Sequence, residues 1–374
     1  MSLTIKPVTG RYLQHRFIQV PWNIYQNDPA WVPPLIMDVK HHFDPRNPYF
    51  SHARFQSWIA FRGTKAVGRI SAQIDQLHLD YHHEQCGFFG LLEAEDRRET
   101  FAALLDTAQT WLQNQGMKYI MGPFNLSINQ ECGLLTSGFD TPPFIMMGHA
   151  RPYYQHRIIE QGFVPIKELL AYLVKAHFTP SRVMETITRR VKKDIHIRPL
   201  NRSHLSEDLQ IIGSIFNDAW SNNWGFTPLT QDELEAMGRD LKLLVDRRFI
   251  QIAEVKGKPA AMIIVLPNIN EIITDLNGRL FPLGWLKLLW RLKVKHPKTA
   301  RVALMGVRKE YQHRLMGAAL AFMVIDTACH PVRKKGVTDV EMSWILEDNM
   351  EMRKIIESIG GRISKRYTIF RKGI

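Results

Sequence analysis

The chain resembles itself, and a duplicated unit constrains every later assignment, because each residue must then be read against a counterpart. Leu3-Thr4-Ile5-Lys6-Pro7-Val8 matches Ile195-His196-Ile197-Arg198-Pro199-Leu200. Both alternate apolar and polar residues as a strand does, and both precede a helix-like segment. Arg54-Phe55, Ile59-Ala60 and the turn Gly63-Thr64-Lys65 match Arg248-Phe249, Ile252-Ala253 and the turn Lys256-Gly257-Lys258-Pro259. Each set reads as a hairpin. Later, Arg157-Ile158-Ile159-Glu160-Gln161-Gly162-Phe163 matches Lys354-Ile355-Ile356-Glu357-Ser358 with Gly360-Gly361 beyond, a helix stopped at glycine. Three matches in one order predict two tandem copies of a mixed α/β unit. Each copy is strand, helices, hairpin or meander, strand into long helix, strand, helix and final hairpin. A chain of 374 residues with 45% hydrophobic composition can fill two such cores. A helix is expected to open after Thr179-Pro180-Ser181 and to end in the basic run Arg189-Arg190-Val191-Lys192-Lys193. The copies are therefore taken as 1–178 and 179–374.

The formal charge of +13 favours anionic partners: phosphorylated cofactors, nucleic acid or anionic lipid. Cys86, Cys132 and Cys329 lie far apart without metal-ligand spacing, so structural thiols are expected rather than disulfides or a zinc site. His41-His42 and His82-His83 lack a third ligand at a useful spacing, and no metal is expected. The amino terminus has no apolar core behind a basic start, and no apolar run reaches membrane-spanning length. The expectation is a cytoplasmic protein that makes, at most, peripheral contact with an anionic membrane face.

In the second copy, Arg301 to Val307 reads as a buried strand. A basic turn, Arg308 to Gly317, then leads into an apolar helix from Ala318 to Ala328. A strand, a basic turn and a helix start form an anion cradle, because the first amides of a helix lack internal partners and the helix dipole favours negative charge there. This corner resembles the pyrophosphate loop of the GNAT (Gcn5-related N-acetyltransferase) superfamily, Gln/Arg-x-x-Gly-x-Gly/Ala. Gln312, Gly317 and Ala318 fit that pattern, while Leu315 stands at the first glycine position. Downstream, the strand Val340 to Leu346, the helix Met350 to Ile359 and the strand Tyr367 to Phe370 follow the superfamily's order.

The resemblance implies a fold of two tandem GNAT-like units, each a mixed sheet flanked by helices. It also implies acyl transfer from a thioester, acyl-CoA or acyl carrier protein, to an amine. Gly306, Val307, Gln312, His313, Arg314, Gly317 and Ala318 would hold the carrier, with an N–H near Gly306 or Val307 as oxyanion donor. Glu341, Ser343 and Glu347 share a strand face by their spacing. Glu347 is the leading base, Glu341 the second, and Asn349 is either a site residue or a helix cap. The tyrosine that many members carry as thiolate acid is replaced by Ile356.

The first copy departs further. Its equivalent turn, Glu93-Ala94-Glu95-Asp96-Arg97-Arg98-Glu99, is acidic and lacks glycine, so this copy is expected not to bind the carrier. The loop Asn125 to Tyr154, rich in aromatic residues and proline, is read as either an acceptor-pocket wall or packing. Asn222, Trp224 and Phe226, in the segment Trp220 to Leu229, are candidate acceptor-lid residues, with core anchoring as the alternative. The segment Asn277 to Lys293 reads as a short helix with segregated apolar and basic residues. It suits an interfacial element, a wall around a long acyl chain, or a buried helix. The stretches holding Trp224, Asn277 and Trp344 resemble a bacterial family of paired GNAT units, some relatives of which are associated with ceramide synthesis. That points to a lipid-like amine such as a sphingoid base, with nucleic acid not expected as a partner. Asn277 and Trp344 are taken with Asn222, Trp224 and Phe226 as candidate substrate-binding residues. An aminoacyl-tRNA-dependent transferase and a non-catalytic acyl-CoA-binding protein are the competing readings.

Overall fold

The computed structural model describes residues 2–180 and 182–374, and the backbone alone of residues 183 and 240–244. In chain order, β1 (Leu3–Pro7) and α1 (Gly10–Ile24) precede the hairpin β2 (Ala53–Arg62) and β3 (Lys65–Asp75). β4 (Cys86–Ala94), α2 (Arg98–Asn114) and β5 (Tyr119–Gly122) follow, then the short β6 (Phe124–Asn125), β7 (Glu131–Cys132) and β8 (Leu134–Ser137), α3 (Tyr153–Ile159) and β9 (Val164–Lys175). The second copy opens with α4 (Arg182–Val191), β10 (Ile195–Pro199), α5 (Leu205–Trp220) and α6 (Gln231–Leu244). Its hairpin is β11 (Ile250–Val255) and β12 (Lys258–Pro267), followed by α7 (Gly284–Trp290), β13 (Thr299–Val307), α8 (Leu315–Lys334), β14 (Asp339–Leu346), α9 (Met350–Ser358) and β15 (Arg362–Gly373).

The repeat carries through to pairing. β1 lies antiparallel to β2, with Leu3 opposite Arg62, and β10 lies antiparallel to β11, with Ile195 opposite Val255. Both hairpins turn where the sequence places a glycine, Gly63 in one and Gly257 in the other. In each copy a helix returns the chain to a parallel strand: α2 joins β4 to β5, and α8 joins β13 to β14. This is the right-handed crossover unit of α/β folds.

The repeat boundary at 178/179 divides the sequence, but the compact units divide elsewhere. One comprises Met1–Leu169, Ile273–Trp285 and Lys365–Ile374; the other comprises Leu170–Ile272 and Leu286–Ser364. Within the first unit the sheet runs β1-β2-β3-β4-β5-β15, with β8 also on β15; within the second it runs β9-β14-β13-β12-β11-β10. The end of the chain thus completes the first unit. Phe370 pairs with Gly122 and Tyr367 with Leu135, and Tyr367, Ile369 and Phe370 are fully buried. The second unit takes the end of β9, where Lys175 Nζ meets Asp339 Oδ1 at 2.6 Å and Ala176 donates to Thr338 O at 2.8 Å. The expected final hairpin is absent: β15 is one uninterrupted strand. Between Gly361 and Gly373 there is no Gly, Pro, Asn or Asp to turn it.

α8 corrects a second expectation. By length and composition its 20 residues suffice to cross a bilayer. Ala319, Leu320, Val324 and Ala328 are nevertheless buried, and the helix packs on β11, β12, β13 and α4. Burial also pushes the Cys86 and Cys329 thiols up to about 12, which favours the protonated form of both.

The division predicts that the first repeat does not fold alone. Three fully buried large side chains on β15 contribute on the order of 5 kcal/mol, comparable with the whole stability of a domain. A fragment ending at residue 178 is expected to lack a cooperative thermal transition by near-ultraviolet circular dichroism. A sharp transition in that fragment would contradict the division.

Candidate active site

β13 and β14 pair in parallel only from Thr299 and Asp339 to Val302 and Met342, although β13 continues to Val307 and β14 to Leu346. Beyond Val302 the strands part. β13 stays on β12, but the register steps from Val302–Val265 to Leu304–Ile264, leaving Ala303 as a bulge that bends the strand. Arg308 donates to Ala260 O at 2.8 Å, toward β12. Because successive residues of a strand point their amides to opposite edges, Gly306 also faces β12, opposite Met262. Met305 and Val307 therefore direct their N–H groups to the parted edge. The carbonyls on that edge are held: Met305 O accepts from Trp220 Nε1 at 3.0 Å, and Val307 O from Gln312 Nε2 at 2.7 Å. Of the two amides expected near this edge, that of Val307 faces it and that of Gly306 faces β12, with Met305 beside Val307 on the open side; strand alternation, not residue type, decides this.

At the last paired rungs lies a buried polar chain. Arg301, opposite Glu341, donates from Nε to Ser343 Oγ at 2.8 Å and from a terminal nitrogen to Ser343 O at 3.1 Å. Ser343 Oγ donates to Glu341 Oε1 at 2.7 Å. All three residues are buried, Glu341 completely. Glu341 is thus on the expected face, fully buried and bonded to Ser343 beneath the parting. The Arg301 guanidinium lies 5.9 Å from the Trp344 ring centroid, and the Trp344 indole N–H is buried with no acceptor among the described residues.

Glu347 follows β14 directly and is half-buried. Its carbonyl accepts from Arg353 at 2.7 Å, and Arg353 Nε donates to Tyr172 Oη at 3.0 Å, which fixes the turn against β9. Asn349 Oδ1 accepts from Met352 N at 3.1 Å, so this side chain is the N-cap of α9, the helix-cap alternative for this residue. Ile356 is fully buried and supplies no proton.

The basic turn closes on α8. A Cβ on Gly317 would stand 2.3 Å from Tyr311 O, so only glycine lets the turn approach the helix start. Gly317 and Ala318 return bonds to Arg314 O, which leaves the Leu315 and Met316 amides ahead of the first helical bonds. Leu315, at the family's glycine position, turns its side chain to solvent. Gln312 also donates to Ala219 O, bracing the turn on α5. His313 has positive φ and pairs through Nδ1 with Glu351 at 2.6 Å, both exposed; Arg314 is extended and exposed.

In the first unit the same place is filled. β4 and β5 pair from Cys86–Tyr119 to Phe88–Met121, and the chain then folds back through β6. Asn125 Oδ1 accepts from Leu91 N at 2.8 Å, and Gln73 Nε2 donates to Phe124 O at 2.6 Å. A Cβ on Gly90 would stand 1.8 Å from Phe124 O. The expected acidic turn is also shorter: Glu93 belongs to β4, where Tyr154 Oη donates to it at 2.7 Å and Arg69 stands 3.8 Å away. Burial pushes the Glu93 carboxyl up, with Arg69 opposing. Backbone, more than charge, closes this copy.

The acceptor candidates are dispersed. Phe226 is buried against Phe216, a core anchor rather than a lid residue, because its loop folds back onto α5. Asn222 is exposed, accepting from Lys309 Nζ at 2.8 Å, and Trp224 is half-buried. Asn277 belongs to the first unit, where it adopts positive φ and accepts from Trp22 Nε1 at 2.7 Å. Among the described residues no cluster of three or more His, Cys, Asp or Glu is placed to hold a metal. A cavity of about 20 Å³ lined by Val265, Val302, Ile325, Ala328, Val332 and Met342 lies within the second unit's core and has room for about one water.

No profile of a known protein family matches the chain. It is 45% identical over 359 residues to Protein YghO of Escherichia coli, covering 96% of this chain and 92% of that protein. It is 42% identical over 379 residues to a bacterial ceramide synthase of Caulobacter vibrioides, covering 100% and 98%. A tandem GNAT protein from the clavulanic acid biosynthesis pathway superposes with a TM-score of 0.57 at 11% identity, over 100% of this chain and 98% of the other. The fold is accordingly that of two tandem GNAT units.

Phe226 gives a direct check on the site's extent. As a core anchor, its replacement by alanine is expected to cost about 3–5 kcal/mol, read as a large fall in the denaturation midpoint. A shift below about 1 kcal/mol would return it to the acceptor lid.

Proposed function

Because the chain belongs to the family that includes the Caulobacter vibrioides bacterial ceramide synthase and the Escherichia coli protein YghO, we propose that it is an N-acyltransferase moving an acyl group from a thioester to an amphiphilic amine. The observation that carries this reading is the parting of β13 and β14 in the second unit, with the Met305 and Val307 amides on the open edge. Acyl-CoA or an acyl carrier protein fits as donor. Its diphosphate or phosphate would meet the Leu315 and Met316 amides at the start of α8, and its arm would lie along the parted strands.

There the thioester carbonyl oxygen would receive an amide N–H as negative charge develops on it, the interaction that lowers the barrier to attack. The amine nitrogen forms the new C–N bond and the C–S bond breaks, its electron pair leaving with sulfur. Glu347 takes the proton that the nitrogen must shed, held in place by the Arg353–Tyr172 brace. Glu341 acts one step back by fixing Ser343 and Arg301, and with them the start of the parting. A long-chain amine of the sphingoid-base type is the acceptor we favour, on the 42% identity to the ceramide synthase. The first unit, closed by Asn125 and the Phe124 backbone, would carry no donor.

Mass spectrometry of lipid extracts from cells with and without the protein tests the reading. An N-acylated long-chain amine is expected only with the protein, and Glu347→Gln is expected to lower its rate of formation about a hundredfold or more, the lower end of the effect of losing a general base. Identical lipid profiles would contradict acyl transfer to a lipid amine, and undiminished product in the variant would remove Glu347 as the base.

A further inference from the structure

α7 and its continuation Arg291–Lys295 carry the most concentrated exposed apolar surface described. Trp285, Leu286, Leu289, Trp290 and Val294 are 42 to 63% exposed. Through α7, at 100° per residue, Trp285, Leu286, Leu289 and Trp290 spread over one side of the helix and Leu288 lies on the other; Leu288, Arg291 and Leu292 are half-buried. The inner side is anchored: Arg291 donates to Ile272 O at 2.5 Å. A helix held from beneath with two tryptophans outward is not a core helix, since soluble surfaces seldom gather large apolar side chains in one patch.

Along the segment itself the charge has one sign. Lys287, Lys293 and Lys295 are exposed along the same segment, and no Asp or Glu occurs between Asp275 and Glu310. We propose that this helix docks the protein in the plane of an anionic bilayer surface, its apolar side seated at the headgroup boundary and its lysines meeting lipid phosphates. Tryptophan suits that depth, with an apolar body and a polar N–H, and lysines reach headgroups along their flexible stems. A nucleic acid would use the cations and leave the leucines exposed to water. This inference rests on the helix alone and does not depend on which amine is acylated.

The test is flotation of the full chain, without acyl donor, with vesicles of phosphatidylglycerol and phosphatidylcholine or of phosphatidylcholine alone. The wild type is expected to float with the anionic vesicles, at least tenfold more than with the neutral ones, and to be released by high salt. Leu289→Glu with Trp290→Glu is expected to lower binding at least tenfold while leaving thermal unfolding unchanged. Lys287→Gln with Lys293→Gln, which leaves the apolar side intact, is expected to lower anionic binding alone. No flotation of the wild type, equal flotation with both vesicles, or full binding by the Leu289→Glu, Trp290→Glu variant would overturn the proposal. So would a non-binding wild type that is a dimer and becomes monomeric in the Leu289→Glu, Trp290→Glu variant, since the face would then belong to a second copy.

Discussion

The separation of β13 from β14 after Val302 and Met342 is the constraint on which the rest of the second unit turns. Two parallel strands close to each other would satisfy their amides mutually and offer a ligand nothing. Three features oppose that closure: the bulge at Ala303, the Trp220 and Gln312 side chains on the edge carbonyls, and the Arg301–Ser343–Glu341 chain at the fork. Burying a guanidinium and a carboxylate costs several kcal/mol per ion unless both are bonded. The arrangement is therefore retained only where every member has its place, and disruption of any one member exposes the cost of the others.

Duplication sharpens this view, since the chain contains its own comparison. Both units part the same pair of strands, yet the first returns its backbone through β6, so that Asn125 meets the Leu91 amide and Phe124 O crowds Gly90. An amide that would otherwise await a ligand is already satisfied from within the chain. One copy has turned the shared opening into packing, and the other has kept it.

Much of this was legible in the sequence. Alternation located β1 and β10, glycine placed both hairpin turns, and the resemblance at Gln312 and Gly317 located the helix-start corner. Residue patterns report local geometry well because period and turn chemistry are local properties. They failed where the answer depended on distant partners. That β15 completes the first unit follows from what Tyr367 and Phe370 pack against, which no window of sequence contains. That the Met305 amide and not the Gly306 amide faces the parted edge required the register with β12, and the cap at Asn349 required its bond to Met352. Phe226 was read from residue type and Asn277 from the resembling stretch, and each is held by a neighbour, Phe216 and Trp22.

The central claim is that only the second unit's forked strands hold the acyl carrier. Backbone-amide hydrogen exchange on the intact protein, with and without coenzyme A, addresses it most directly. Slowed exchange at residues 303–307 and 315–317, with residues 89–94 unchanged, is the predicted result. Protection at 89–94, or none in the second unit at saturating coenzyme A, would contradict the account.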